Sequence, residues 1–353
     1  MPFKINLATN NELHIRNKFT LLTFISSVFV IFIHANNIAM LETSEKAIGF
    51  GKAVFSIETY WAKLIDNSVP LFFFISGILF FRTFEIKKLF SKWKTRVFSI
   101  ALPYLIWCTI YYLYYVICTN VPLISSLMSE SNTVNFSIIE WIRWLWVDRY
   151  YTLWFLQNLM IYIALAPIIW LLLKDHFSKI PTGLVILLLY IVGKKYLPFD
   201  IPYSADFEFY LIGSYIGLNG RKWLYYSNKT LSIVSCVYIA LILISAFRFW
   251  NIAFSVLFFF AIWFAIDLLP INNRQFPWWM SITFFTYVAH DIFLEAFEKV
   301  FFKVFGASPI TALLDYIFMP LIIEALLIAI AFVLRKWLPI IWKLLSGNRA
   351  MVK

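Results

Sequence analysis

The chain is 353 residues long and 62% hydrophobic, with 30 Lys and Arg against 19 Asp and Glu, a net charge of +11 and a mean hydropathy of +0.78. Soluble domains are roughly 45–50% apolar, so this composition excludes an ordinary soluble protein and predicts a polytopic membrane protein. The positive charge brackets apolar runs, so it reads as membrane topology, and no nucleic-acid partner is expected.

A helix needs about 20 mostly apolar residues to cross a bilayer. Ten such stretches are predicted, at 19–41, 64–84, 97–118, 152–173, 181–197, 206–220, 230–247, 251–269, 279–300 and 314–342. They are apolar on every side, which fits helices and not the alternating strands of a barrel. The expected fold is therefore all-α, with residues 1–353 forming one transmembrane domain and short tails at 1–18 and 343–353. The N-terminus is polar and the first apolar run is long, so no cleavable signal peptide is expected. Basic residues fall 20 on one set of connections and 10 on the other. The richer set includes Lys87, Lys88, Lys92, Lys94 and Arg96, then Arg221, Lys222 and Lys229, then the C-terminal end. The positive-inside rule places both termini in the cytoplasm.

In chain order, the first candidate segment is IFIHANN, residues 31–37. An ionisable ring on an apolar run costs free energy and marks a functional site. His34 serves either as a base, its ordinary pKa being near working pH, or as an interfacial ring that reaches water. Asn36 and Asn37 follow it. VPLFFFISGILFF, residues 69–81, carries Ser76 and Gly77, which suit close helix approach. The basic segment KKLFSKWKTRVFSIALPY, residues 87–104, with Lys94 and Arg96, suits either anionic lipid heads or the phosphates of a coenzyme. The segment 140–149 (EWIRWLWVDR) interleaves aromatic and charged residues and is expected to lie at the outer interface as an amphipathic helix. YYTLWFLQNLMIY, residues 150–162, offers the aromatic face of Trp154 and the amides of Gln157 and Asn158. FFTYVAHDIFLEAF, residues 284–297, carries Tyr287 and a second histidine inside an apolar run, His290. Cys108, Cys118 and Cys236 have no redox or metal spacing, no zinc pattern occurs, and neither a phosphate-binding glycine loop nor a Gly-x-Ser-x-Gly elbow is present. No metal is expected.

Over most of its length the chain resembles the integral-membrane acyltransferase family 3, the O-acyltransferases of bacterial surface glycans. IFIHANN matches the histidine that closes that family's first span, and VPLFFFISGILFF looks like its second. Lys94, Arg96, Pro103 and Tyr104 look like its basic loop leading into Pro-Tyr; LWFLQNL (153–159) and TYVAHDIF (286–293) look like two later signatures. One departure stands out. The family commonly has an arginine eleven residues before the first-span histidine, and here that position is Thr23.

The resemblance implies acyl transfer from acyl-CoA, most often acetyl-CoA, to a hydroxyl of a lipid-linked or surface polysaccharide, in a bacterial plasma membrane. It implies His34 as general base and His290 as a group that orients or polarises a reacting atom. It implies Arg96 and Lys94 as donor-phosphate ligands, with Arg16, Arg82 or Arg96 as the stand-in for the missing arginine unless the donor differs. Ser76, Asn36, Asn37, Trp154, Gln157, Asn158 and Tyr287 are then expected to shape the acyl or sugar pocket, with a polysaccharide-synthesis complex as a further partner. Two other readings stay open on the sequence: a carrier for a lipid-linked glycan, and a catalytically silent partner of a polysaccharide synthase. No internal repeat supports the carrier.

Overall fold

The computed structural model describes residues 3–37, 49–122, 134–146, 151–176, 180–194, 206–245, 252–271 and 275–348. Fifteen α-helices occur among them: α1 (Phe3–His34), α2 (Gly49–Ile65), α3 (Ser68–Phe81), α4 (Leu89–Arg96), α5 (Leu102–Asn120), α6 (Ile138–Trp146), α7 (Trp154–Ala164), α8 (Ala166–Leu173), α9 (Thr182–Lys194), α10 (Phe207–Asn219), α11 (Lys229–Ser245), α12 (Ile252–Ala265), α13 (Thr283–Phe305), α14 (Pro309–Trp337) and α15 (Pro339–Ser346). A π-helical stretch, Val97–Ala101, joins α4 to α5. No β-strand occurs among the described residues.

Among the described residues, four stretches are long and apolar enough to cross a membrane: Glu12–His34, Gly49–Phe81, Ile86–Asn120 and Pro309–Trp337. A fifth is added if α7 and α8, which break at Leu165 ahead of Pro167, form one bent span. The protein is thus an all-helical membrane protein. Several boundaries differ from those the sequence predicts. The first helix does not run to residue 41 but ends at His34, where Ala35 makes the last backbone hydrogen bond, to Ile31. The span predicted at 64–84 begins at Gly49 and is interrupted at Asp66 and Asn67. The last predicted stretch, 314–342, is two helices, because Pro339 has no N–H to continue α14 and instead opens α15. The stretches predicted at 181–197 and 206–220 hold helices of 13 residues each. At about 1.5 Å per residue these fall well short of a hydrocarbon core about 30 Å thick.

The chain divides into two compact units. The first comprises Met1–Ser26, Asn67–Phe90 and Ile161–Met280. Its centre is the contact of α3 with α10. A Cβ at Gly77 would run into the carbonyl of Tyr210 and the amide of Ser214, and one at Gly213 into the carbonyl of Phe74. The two helices therefore meet backbone to backbone, as small residues allow in membranes. Aromatic rings seal the contact, with Phe74 5.6 Å from Phe259 and Tyr162 5.4 Å from Tyr210. The N-terminal half of α1 is held by polar contacts: Lys18 Nζ lies 2.5 Å and His14 Nε2 2.8 Å from Asp267 Oδ1, and Asn17 donates to the Ile271 carbonyl at 2.7 Å.

The second unit comprises Ser27–Asp66, Ser91–Met160 and Ser281–Lys353. Helices α13 and α14 form an antiparallel pair across a short turn. Ser308 caps α14 with a reciprocal pair, its Oγ accepting from Thr311 N at 3.2 Å and its own N–H donating to Thr311 Oγ1 at 2.9 Å, while Pro309 supplies the first turn. Helix α5 fastens to α13 through Tyr111, whose hydroxyl donates to the Val288 carbonyl at 3.0 Å, and to α15 through Trp107, which donates to the Leu345 carbonyl at 3.0 Å. The amphipathic helix expected near residue 140 is α6. Ile138, Ile139, Ile142 and Trp146 are exposed on it, while Trp141 donates inward to Thr109 at 3.0 Å. Residues 147–149 of that predicted segment lie outside the described residues.

Candidate functional site

The second unit brings together the two histidines that the sequence singles out, although 255 positions separate them. The rings of His34 and His290 lie 5.1 Å apart between centroids, tilted by 47°. His34 ends α1. The chain that leaves it is tied down at Asn37, whose amide donates to the Ala312 carbonyl and to Asp315 Oδ2, each at 3.0 Å. Both acceptors belong to α14. Phe32 packs edge-on against Tyr316 of the same helix at 5.8 Å. Because α14 is paired with α13, fixing the end of α1 on α14 also sets His34 beside His290.

His290 is fully buried. Its Nδ1 lies 2.7 Å from the Tyr287 carbonyl and 3.2 Å from that of Thr286. A carbonyl only accepts, so Nδ1 must carry the proton, and this assignment leaves Nε2 with its lone pair. Nε2 has no hydrogen-bond partner among the described residues. The backbone thus prepares one buried nitrogen as an acceptor. Tyr287 is anchored by its hydroxyl, which donates to the Thr152 carbonyl, and by Phe155 at 5.4 Å. This ties the start of α7 to the His290 turn of α13.

Of the other residues predicted for the second unit, Gln157 and Asn158 are buried on α7. Gln157 donates to the Trp146 carbonyl at 3.2 Å, while its Oε1 and Asn158 Oδ1 are unpartnered among the described residues. Trp154 and Asn36 are half-buried; Lys94 is exposed and Arg96 half-buried at the end of α4. In the first unit, Ser76 is half-buried beside Gly77 and Arg16 is exposed. Thr23 turns inward on its own helix, donating to the Phe19 carbonyl at 2.8 Å. Arg82 is committed to Glu12 and, at 3.2 Å, to Tyr225. Burial first, and the hydrogen bond to Glu12 next, push the Tyr225 hydroxyl above its ordinary value. Arg82 is therefore one corner of a closed ionic cluster. A cavity of about 570 Å³ also lies in the first unit, walled by Phe74, Ile78, Trp223, Phe260 and Trp263 and edged by Lys222. None of the predicted site residues lines it.

Several polar residues of the second unit are not singled out by the sequence reading. Asp291 adjoins His290 and is buried. One nitrogen from each histidine and one Asp291 oxygen lie within 4.8 Å of one another, so these three could hold a metal ion, although no sequence spacing announces it. Glu58, Asp315 and Glu324 are buried acids on helices that qualify as spans. An acid inside an apolar run was the available signal; for Glu58 it was masked, because that stretch read as an outer connection.

The sequence model described as an acyltransferase domain, acyltransferase family 3, matches residues 17–338. Comparisons with curated proteins and with solved structures find no match.

Proposed function

The chain belongs to acyltransferase family 3 and is a membrane acyltransferase; from that premise we propose that it moves an acyl group, acetyl in the first instance, from acyl-CoA to a hydroxyl of a surface or lipid-linked polysaccharide, with His34 as general base. The observation that carries this reading is the adjacency of His34 to a buried His290 whose Nδ1 is tied to backbone carbonyls. With Nδ1–H committed, neutral His290 can only accept, so it orients its neighbour and does not itself polarise a carbonyl. In the working state the N–H of neutral His34 turns toward His290 Nε2, which is left open to accept among the described residues. The lone pair on its other nitrogen then faces the acceptor hydroxyl. This is the logic by which a partner group fixes tautomer and ring angle of a working imidazole.

The step balances without a cofactor. His34 takes the hydroxyl proton as the sugar oxygen attacks the thioester carbonyl; the carbon–sulfur bond breaks; the departing thiolate recovers the proton from the imidazolium. Lys94 and Arg96 bind donor phosphates. Trp154, Gln157, Asn158, Tyr287 and Asn36 shape the acyl and acceptor pockets. Residues 1–353 act as one transmembrane domain in a bacterial plasma membrane with both ends cytoplasmic, where acyl-CoA is available, and a polysaccharide-synthesis complex is a partner.

The direct test is transfer of radiolabelled acetyl from acetyl-CoA to membrane glycolipid by purified protein. Two further results are expected in that assay. His290→Leu lowers kcat by about 10–100-fold, the range for groups that orient a working histidine, with KM for acetyl-CoA unchanged. His290→Gln recovers part of the loss, since its amide oxygen can accept from His34; a variant as active as wild type removes His290 from the mechanism. Activity is also expected to survive EDTA. Loss of activity with EDTA, restored by a transition metal, would convert the His34, His290 and Asp291 group from base chemistry to metal chemistry.

A further inference from the structure

Beside the histidine pair, the second unit buries a set of acids with no ion-pair partner among the described residues. Glu58 is 0% and Asp315 1% exposed. Neither Glu58 oxygen has a hydrogen-bond partner among the described residues, although the backbone of Asn37 faces it. Asp315 uses one oxygen on Asn37, and its Oδ1 is unpartnered. Two neutral side chains of the same patch are also left open: Asn37 Oδ1, and the hydroxyl of Tyr316, which lies within electrostatic reach of Glu58. Glu298 extends the patch, interacting with Asp315, Glu58 and Asp291, the last next to His290. Among the described residues no Lys or Arg forms an ion pair with Glu58, Asp315 or Asp291, and Lys299 is taken by Glu295 at 2.7 Å.

Buried carboxylates and amides without partners cost several kcal/mol by order of magnitude, so a ligand that supplies donors is the natural complement. A single cation is a poor fit. The group of His34, His290 and Asp291 is the one set of three His, Cys, Asp or Glu ligands that converges within 4.8 Å among the described residues, and Glu58, Asp315 and Glu298 do not form a second. Acceptors spread more widely than one coordination sphere suit a molecule with several separate donors. Sugar hydroxyls and a sugar ammonium are such donors. A carboxylate or phosphate on the same sugar would meet like charge in a site with little water to screen it.

Resting on the glycan-acylation reading above, we propose that Glu58, Asp315, Asn37 and Tyr316 form the acceptor subsite and that it takes a neutral or amine-bearing sugar and rejects an anionic one. The probes are octyl glucoside, octyl glucosaminide with a free amine, and octyl glucuronide, which share ring and chain and differ in one charged group. Each is measured for equilibrium binding to nanodisc-embedded protein and for acceptance of label from acetyl-CoA. The first two are expected to bind at least about tenfold more tightly than the glucuronide, a modest share of what like-charge contact costs. Asp315→Asn should narrow that ratio to within about threefold, and Glu58→Gln gives the same readout should Asp315→Asn fail to fold. Should neither variant fold, the wild-type ratio decides. Glucuronide binding equal to or tighter than glucoside, or no binding of any probe, overturns the proposal. Selective binding of the neutral and amine forms without acetyl transfer to any of them keeps the subsite and removes the acylation reading.

Discussion

Replacing His34 with alanine is expected to lower kcat for acetyl transfer by about 10²–10⁴-fold, the contribution of a positioned general base, which corresponds to about 2.7–5.5 kcal/mol of barrier. His34 is the last residue of α1, its ring lies 5.1 Å from that of His290, and the following turn is bonded to α14 through Asn37, so the ring has a set place that alanine cannot fill chemically. Helix ends tolerate alanine, so protein abundance should not change. In cells the measurement is mass spectrometry of the surface polysaccharide with wild-type and His34→Ala protein. The expected result is loss of an acyl mass with the sugar backbone intact, which also identifies the acyl group. Unchanged acylation at normal protein level would remove His34 as the base. Unchanged acylation with less polysaccharide at the surface would point to transport or assembly.

Gly213→Leu is expected to be the most damaging single change to folding. A Cβ there would strike the Phe74 carbonyl, with the Phe74 carbon at 2.9 Å and the Ile78 amide at 3.2 Å behind it. The obstacle is backbone, so no rotamer change relieves it, and α3 and α10 must separate. Overpacking commonly costs about 1–3 kcal/mol and occasionally more; with a whole leucine forced between two main chains, a loss of about 3 kcal/mol or more is expected. Thermal unfolding of the detergent-solubilised protein, read by fluorescence-detected size exclusion, checks this. Gly193→Leu is the matched control, because a Cβ at Gly193 on α9 meets nothing within 4 Å. Equal unfolding temperatures for the two variants would mean that the close contact of α3 and α10 does not limit stability.

Much of the candidate site was legible as single residues and little of it as an assembly. His34 and His290 stood out because an ionisable ring within an apolar run is expensive wherever the run lies. Gly77 stood out because a small residue beside Ser76 in an apolar helix invites close approach, and its backbone contact with α10 bears that out. Helix limits were read less well. Apolar side chains continue past His34 and through Pro339, so hydropathy ran on where the backbone did not. Asn37 looked like a sugar ligand through its whole amide, yet its nitrogen is spent on Ala312 and Asp315, and Oδ1 is the atom left open. Arg82 looked available for a donor phosphate, yet Glu12 and Tyr225 already hold it. Both partners are too distant in sequence for local pattern to reveal.

The sequence by itself determined that the protein is helical and membrane-embedded, because only helices satisfy the backbone in apolar runs of this length. Its ordered signatures also determined the family. Only the tertiary structure decided that the two histidines are neighbours, that His290 presents an unprotonated Nε2, and that Glu58 and Asp315 share a buried patch. The physical reason is the same in each case. A residue's cost of burial is local and can be read from its neighbours along the chain. Its partner, tautomer and direction depend on how α1, α2, α13 and α14 pack, and that packing is fixed by contacts hundreds of positions apart, such as Asn37 with Asp315.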